Sequence, residues 1–332
     1  MISVRRAKKL LASFPRKTIL VVGDLMLDRY VTGGVTRISP EAPVPVVHVG
    51  AERAVPGGAA NVAMNLRSLG GRAMVAGVVG CDSDGRELRV LLEKSGIDTS
   101  GLLADRRVMT TVKTRIVAER QQVVRVDREG PREQVEGVLP RLCRRLARII
   151  PQVDGVIIED YGKGVICQTV VDTVAKAARK GGIPVGLDPK DDHALRFSNI
   201  ALATPNYAEA CLAAGLKPRP LDGNLETHAT LALAGKILPA KWNCRLLIIT
   251  LGPHGMYLVS EGRRPLVIPA KAREVFDVCG AGDTVIATAM LGLVAGATHE
   301  EAAALANYAA GVVVGKLGTA TCAPGELLAY MG

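Results

Sequence analysis

The sequence predicts an α/β fold in which a doubly wound, mostly parallel sheet is flanked by helices and carries a small β-lid. Three observations support this prediction. Strand and helix patterns alternate through most of the 332 residues, glycine-rich turns lead into several of the helices, and two β-like stretches interrupt the alternation. Ligands of such sheets bind at the carboxyl ends of the strands, so a functional site is expected in the turns there.

The alternation begins with an apolar strand at 18–22 and ends with helices at 281–294 and 300–313. Further strands are predicted at 73–79, 155–158, 184–187, 200–203 and 245–250, and further helices at 59–69, 85–94, 132–149, 167–179, 226–238 and from Asn206 onward. We therefore expect a single domain over 1–332.

The two interrupting stretches are 33–49, which contains prolines, and 110–127, in which polar and apolar residues alternate. Both read as strands, and no helix crosses over between their pieces. We expect them to pair antiparallel outside the main sheet and to form a lid inserted in the core. A lid of this kind excludes water from a reaction that would otherwise hydrolyse its donor.

The amino-acid composition indicates which classes of ligand and which compartment to expect. The formal net charge of +10 favours anionic ligands, while an aromatic content of only 3% disfavours a nucleic-acid partner bound by base stacking. Phosphorylated metabolites are the preferred ligands. Seven scattered cysteines without a C-x-x-C pair indicate a reducing compartment, which we take to be the cytoplasm. The longest apolar run, 285–297, is too short to span a bilayer, so no membrane partner is expected.

The most informative motif is Gly280-Ala281-Gly282-Asp283, directly before a long apolar helix. The first amides of a helix have no partner within the helix and carry partial positive charge. The backbone of Gly280, Ala281 and Gly282 is therefore predicted to form an anion hole for a phosphoryl group. Asp283 is predicted to accept a proton from the attacking hydroxyl, which indicates a kinase. The alternative is a strand-to-helix turn in which the aspartate only caps the helix.

Two motifs near the amino terminus suit a sugar. Asp28 follows the first strand, and Gly57, Gly58 and Asn61 open the first core helix. A carboxylate and an amide can hydrogen-bond sugar hydroxyls, and glycines allow a ligand to approach the backbone closely. The alternatives are a turn-stabilising aspartate and a helix start that packs tightly on the sheet.

The second half of the chain contains the residues that we predict to bind the nucleotide and its Mg²⁺ ion. Asn206 and Glu209 share one helix face and could hold waters of a Mg²⁺ ion, although a helix cap with a first-turn glutamate has the same pattern. Thr250, Gly252 and Gly255 form a loop after a buried strand, which is suited to nucleotide phosphates or ribose. No G-x-x-x-x-G-K-[ST] or G-x-G-x-x-G motif follows a strand.

Together, these motifs resemble the ribokinase-like (PfkB) carbohydrate kinase family from about residue 15 to 325, in the order Gly23…Asp28, Gly57-Gly58-x-x-Asn61, Asn206-x-x-Glu209, Thr250-x-Gly252, Gly280-Ala281-Gly282-Asp283. The resemblance implies that Asp283 is the base, that the amides of 280–283 form the anion hole, and that ATP is the donor with Mg²⁺. It also implies a nucleotide contact beside adenine at Asn307. Asp277 falls where many relatives bind a monovalent cation such as K⁺.

Longer stretches are similar to the bacterial D-glycero-β-D-manno-heptose-7-phosphate kinases, either the stand-alone form or the kinase half of the bifunctional heptose protein. These stretches are 23–30, 37–46, 121–127 and 160–164. Met26 stands where ribose kinases have a polar sugar contact, which argues against ribose. The printed sequence leaves no room for a nucleotidyltransferase half after Gly332, so the stand-alone form is expected.

The implied reaction transfers the ATP γ-phosphoryl group to the anomeric hydroxyl of heptose 7-phosphate. The product would be the 1,7-bisphosphate, in the synthesis of ADP-heptose for the lipopolysaccharide core. Candidate cations for the 7-phosphate are Lys163, Lys190, Arg115 and Arg120. Relatives often pair through lid strands, so a homodimer is expected. The alternatives are another sugar kinase, acting on fructose 1-phosphate, tagatose 6-phosphate or a nucleoside, or a non-catalytic sugar-responsive regulator.

Overall fold

A nine-stranded sheet forms the centre of the structure, a computed structural model that describes residues 2–119, 121–190, 195–271 and 275–332. The strands are β1 (Thr18–Gly23), β2 (Leu25–Ile38), β3 (Pro45–Gly58), β4 (Arg72–Gly80), β5 (Asp98–Asp105), β6 (Thr111–Ala118), β7 (Gln121–Arg128), β8 (Gly155–Glu159), β9 (Val185–Asp188), β10 (Leu202–Ala203), β11 (Leu246–Thr250), β12 (Met256–Ser260) and β13 (Leu266–Ile268). The helices are α1 (Val4–Leu11), α2 (Ala59–Ser68), α3 (Ser83–Lys94), α4 (Leu139–Ile149), α5 (Gln168–Gly181), α6 (Tyr207–Ala213), α7 (Ala229–Trp242), α8 (Ala281–Val294), α9 (His299–Val313) and α10 (Pro324–Met331).

The central sheet has the order β13-β12-β11-β10-β9-β8-β1-β4-β5. Strands β5 through β11 run parallel, and β12 and β13 add antiparallel pairs at one edge. One core cluster packs α2, α8 and α9 against one face of the sheet, and a second packs α4, α5 and α7 against the other. The strand order reverses at β1, which places the β1 and β8 ends at the position where doubly wound sheets bind ligands.

The four-stranded sheet has the order β3-β2-β6-β7 and lies outside the central sheet. β2 pairs antiparallel with β3, and β6 pairs antiparallel with β7, as expected. The expectation of antiparallel pairing throughout is wrong for β2 and β6, which pair parallel. The reason is that β2 follows β1 and β6 follows β5, so both leave the same edge of the central sheet in the same direction. The first strand begins at Leu25 rather than at residue 33, which brings Asp28 into the four-stranded sheet.

Several helices begin or end at residues other than those predicted from the sequence. The helix predicted over 132–149 is a 3₁₀ segment, Arg132–Val138, followed by α4, and the helix predicted over 226–238 becomes α7, which starts at Ala229. None of the helices in the described parts of the chain is both long and apolar enough to cross a lipid bilayer.

Candidate active site

The start of α8 is a tight glycine turn at the carboxyl edge of the central sheet. Gly280 adopts a φ of 75°, a conformation that favours glycine, and a side chain there would lie 2.7 Å from the Asn61 amide nitrogen. The Ala281 N–H donates to the Val278 carbonyl at 3.2 Å. The amides of Gly282 and Asp283, in the first turn of α8, have no carbonyl one turn earlier to bond, so they remain the candidates for the predicted anion hole.

The Asp283 carboxylate is buried and held from two sides. Its Oδ2 accepts from the Asn61 side-chain amide at 2.5 Å, and its Oδ1 accepts from the Tyr161 hydroxyl at 2.8 Å. Burial raises the pKa of Asp283, the two hydrogen bonds oppose this, and the nearby charge of Asp28 adds to the rise. The outcome is a carboxylate fixed in position whose pKa lies above its ordinary value, as suits a general base.

Tyr161 is a site residue that the sequence reasoning missed. Its loop is fixed by Asp24, whose buried carboxylate accepts backbone N–H bonds from Tyr161, Lys163 and Val165 at 2.9, 3.0 and 3.0 Å. Burial raises the pKa of the Tyr161 hydroxyl well above its usual value, so the group remains a donor to Asp283. The available signal was the polar stretch 159–164 after a strand, from which only Lys163 was selected.

Three carboxylates converge beneath the glycine turn. Oxygen atoms of Glu159, Asp188 and Asp283 lie within 4.8 Å of one another, the only such group found among the described residues. Glu159 Oε2 is buried and has no hydrogen-bonding partner in the described parts of the chain. Burial, followed by carboxylate charges that include Asp283, raises the pKa of Glu159 and of Asp188 well above the usual range. The three carboxylates offer only oxygen ligands, and a divalent cation between them would offset their mutual repulsion. The group therefore fits Mg²⁺.

The two residues predicted to hold Mg²⁺ through water bond to each other. The Glu209 N–H donates to Asn206 Oδ1 at 3.0 Å, and the Asn206 N–H donates to Glu209 Oε2 at 2.9 Å, which is a capping box at the start of α6. The charge of Glu209 contributes to the raised pKa of Asp188, after burial, so this helix start faces the carboxylates. Their role toward a metal ion stays a prediction, and Asp188 and Glu159 are the direct candidates that sequence reasoning missed.

A cavity of about 600 Å³ lies against the start of α8. Its lining includes four of the six residues predicted for the nucleotide side together with two from the glycine turn, namely Thr250, Gly252, Gly255, Asn307, Ala281 and Gly282. The other two, Asn206 and Glu209, are not part of this lining. The volume falls in the range of small-molecule sites, roughly 300–1,000 Å³. The Asn307 side-chain amide donates to the Pro269 carbonyl at 2.7 Å, which fixes its orientation.

The predicted sugar contacts lie on the other side of Asp283. Asp28 is buried and accepts from Arg115 at 2.6 Å. Gly57 is required next to it, because a side chain there would collide with the Asp28 carboxylate, and Gly58 has a φ of 58°. Asn61 already contacts Asp283. The structure therefore brings these predicted residues together around one carboxylate.

The remaining predicted residues are Lys163, Lys190, Arg120 and Asp277. Lys163 Nζ forms an ion pair with Glu129 at 2.5 Å and lines a separate narrow crevice. Lys190 lies two residues beyond the end of β9, and Arg120 is outside the described residues. Asp277 accepts from the backbone N–H groups of Cys279 and Gly318 at 2.9 and 3.1 Å, and its binding of a monovalent cation stays a prediction.

A family model described as pfkB family carbohydrate kinase matches residues 16–326. The chain belongs to this family. It is 45% identical over 321 residues to the Bifunctional protein HldE of Magnetococcus marinus, a match that covers 95% of this chain and 64% of the relative. It is 43% identical over 313 residues to the protein of the same name in Desulfatibacillum aliphaticivorans, covering 94% and 63%. The chain thus spans slightly less than two thirds of these relatives. The predicted family and the enzyme class, an ATP-dependent carbohydrate kinase, are confirmed.

The chain is similar in fold to solved structures, one of which is phosphofructokinase-2 from Escherichia coli in complex with potassium. That chain has a TM-score of 0.74 and 19% identity, with 95% of this chain and 99% of the other covered. Arabidopsis thaliana ribokinase complexed with ribose and ATP has a TM-score of 0.70 and 19% identity, with 95% and 98% covered. At these identities the similarity establishes the fold alone, and the predicted ribokinase-like fold is confirmed.

Proposed function

We propose that this kinase transfers the γ-phosphoryl group of ATP to the anomeric hydroxyl of D-glycero-D-manno-heptose 7-phosphate. The observation that carries the proposal is the position of Asp283, held by Asn61 and Tyr161 between the 600 Å³ cavity and the Asp28 group. The choice of sugar is supported by the four heptose-kinase-like stretches of the sequence and by 42–45% identity to relatives named Bifunctional protein HldE. The product, the 1,7-bisphosphate, belongs to the synthesis of ADP-heptose for lipopolysaccharide in the cytoplasm.

The chain's own groups act by position and charge. Asp28 and Asn61 hold sugar hydroxyls, and Asp283 accepts the proton of the anomeric hydroxyl as its oxygen attacks phosphorus. This hydroxyl is more acidic than an ordinary alcohol, so a carboxylate is a sufficient base. The amides of Gly282 and Asp283 stabilise negative charge on the migrating phosphoryl group.

We propose the two metal ions from the oxygen ligands that the chain offers them. Glu159 and Asp188 would hold Mg²⁺, with Asn206 and Glu209 reaching it through water. When bound, Mg²⁺ supplies positive charge to the phosphate oxygens of ATP. Asp277 would bind a monovalent cation such as K⁺ behind the glycine turn. The four-stranded sheet would act as the lid, because Asp28 on β2 links it to the sugar site and its closure would exclude water.

An ADP-release assay tests the proposed reaction. The purified chain with ATP and Mg²⁺ is expected to release ADP on addition of heptose 7-phosphate and to lose this activity in excess EDTA. Fructose 1-phosphate, tagatose 6-phosphate and a nucleoside serve as competing acceptors. A higher kcat/KM with one of these would assign the enzyme to a different sugar. Binding of sugars without ADP release from any of them would favour a regulator.

We also propose that two copies associate through the four-stranded sheet. Every residue of its edge strand β7 is exposed, including Val124 and Val126, and an exposed strand edge invites pairing. Light scattering is expected to give twice the chain mass of 34.9 kDa. Val124→Lys together with Val126→Lys should give a monomer, whereas a monomeric wild-type chain would exclude this interface.

A further inference from the structure

Three arginines lie in one row across the four-stranded sheet. The strand register places Tyr30 of β2 opposite Arg53 of β3 on one side and opposite Arg115 of β6 on the other. Arg115 in turn lies opposite Arg125 of β7. Residues directly opposed on neighbouring strands project from the same face, so these four side chains share one face of the sheet. We call them the arginine row.

The arginine row faces the reaction centre. The Tyr30 hydroxyl hydrogen-bonds the Thr319 hydroxyl at 2.9 Å, and a side chain at Gly280 would lie 3.2 Å from the Thr319 methyl group. Asp28, two residues before Tyr30, projects from the same face and accepts from Arg115 at 2.6 Å. Asp28 therefore lies beside the arginine row, and its charge also acts on Asp283, so a sugar held by Asp28 would be within reach of both.

The charges of the row are unevenly compensated. Arg125 pairs with Asp127 at 2.8 Å, and Arg115 pairs with Asp28. The Arg53 guanidinium group forms no ion pair or hydrogen bond with any described residue, and its central carbon lies 5.4 Å from the centroid of the Tyr30 ring. The Arg115 guanidinium carbon lies at the same distance, 5.4 Å, from this ring. Both guanidinium groups therefore contact the same ring through cation–π interactions, and the Arg53 charge is the one left without a counter-ion among the described residues.

We propose that Arg53 and Arg115, positioned on Tyr30, form a subsite for a phosphate monoester at the end of the acceptor sugar that is remote from the phosphorylated hydroxyl. The inference rests on the proposed function and names residues that set its preference for a phosphorylated sugar. Guanidinium groups suit this task because their planar donors bind phosphate oxygens in pairs. Lys163 is less suited, since it lies outside the arginine row and lines a separate crevice.

The test compares heptose 7-phosphate with unphosphorylated heptose. Arg53→Ala is expected to raise the KM for heptose 7-phosphate by about 10- to 100-fold, the effect of losing hydrogen bonds to a charged group. The KM for ATP and the kcat/KM for free heptose should stay at their wild-type values. Arg53→Lys keeps the charge without the planar donors and should give an intermediate KM. Arg37→Ala, an exposed arginine further along β2, is the matched control.

Calorimetry without ATP separates this inference from the proposed reaction. Wild-type protein should bind heptose 7-phosphate more tightly than heptose, and Arg53→Ala should remove most of that difference even if another sugar proves to be the substrate. Equal wild-type binding of both sugars would overturn the subsite. So would an Arg53→Ala variant whose dissociation constants for both sugars match those of Arg37→Ala. Absence of ADP release with intact discrimination would instead contradict only the proposed reaction.

Discussion

Asp283→Asn is expected to lose about 10³-fold in kcat while still folding and binding ATP, because positioned general bases contribute about 10²- to 10⁴-fold. The side chain keeps its shape, and its environment can accommodate the amide. The amide oxygen can accept from Asn61, and the amide NH₂ can donate to the Tyr161 hydroxyl, which either donates or accepts. The loss therefore reports the missing base, at about 4 kcal/mol of transition-state stabilisation.

Steady-state kinetics and calorimetry check this expectation. The dissociation constant for ATP and the melting temperature of Asp283→Asn should lie close to the wild-type values. Asp154→Asn is the matched control, because among the described residues that carboxylate bonds only the Thr18 amide and Lys17 at the start of β1. A loss in kcat of less than about tenfold, with folding intact, would assign proton removal to another group.

Local sequence patterns predicted those parts of the structure that depend on nearby residues. The bounds of α8 are as predicted, because the glycine turn fixes its start and an apolar run fills its length. Asp28, Asn61 and Asp283 could be selected as candidates because each adjoins a glycine motif or a strand end, and the structure brings the three together. Such motifs have a recognisable chemistry within a few residues, whatever their partners in the fold.

The missed features depend on contacts between distant segments. Tyr161 and Asp283 are 122 positions apart, and neither position alone indicates the hydrogen bond. Asp188 meets Glu159 only because β8 and β9 are neighbours in the sheet. Arg53 becomes a candidate only once the register places it opposite Tyr30. Strand β5 was missed because its residues, with Asp98 at one end and Asp105 at the other, form an edge strand that lacks a continuous apolar run.

Tyr161→Phe is expected to shift the acid limb of the kcat profile to higher pH and so to lower kcat at pH values along that limb. Burial raises the pKa of Asp283, and the Tyr161 hydrogen bond is one of the contacts that lower it. Turnover requires the ionised carboxylate, so the rate rises as pH passes upward through this pKa. Removal of the hydroxyl leaves the burial and the hydrogen bonds from Asn61 and from the Asp283 backbone N–H, so the pKa rises and the acid limb moves to higher pH.

The pH profile separates a positioning role from a structural one. If Tyr161 fixes and tunes the base, the kcat of Tyr161→Phe should recover part of its loss at high pH, with KM values for both substrates unchanged. Tyr207→Phe, which loses a hydrogen bond to the Arg219 carbonyl on the surface, should leave the profile in place. An unshifted limb combined with a raised KM for the sugar would mean that the tyrosine supports only the shape of the site.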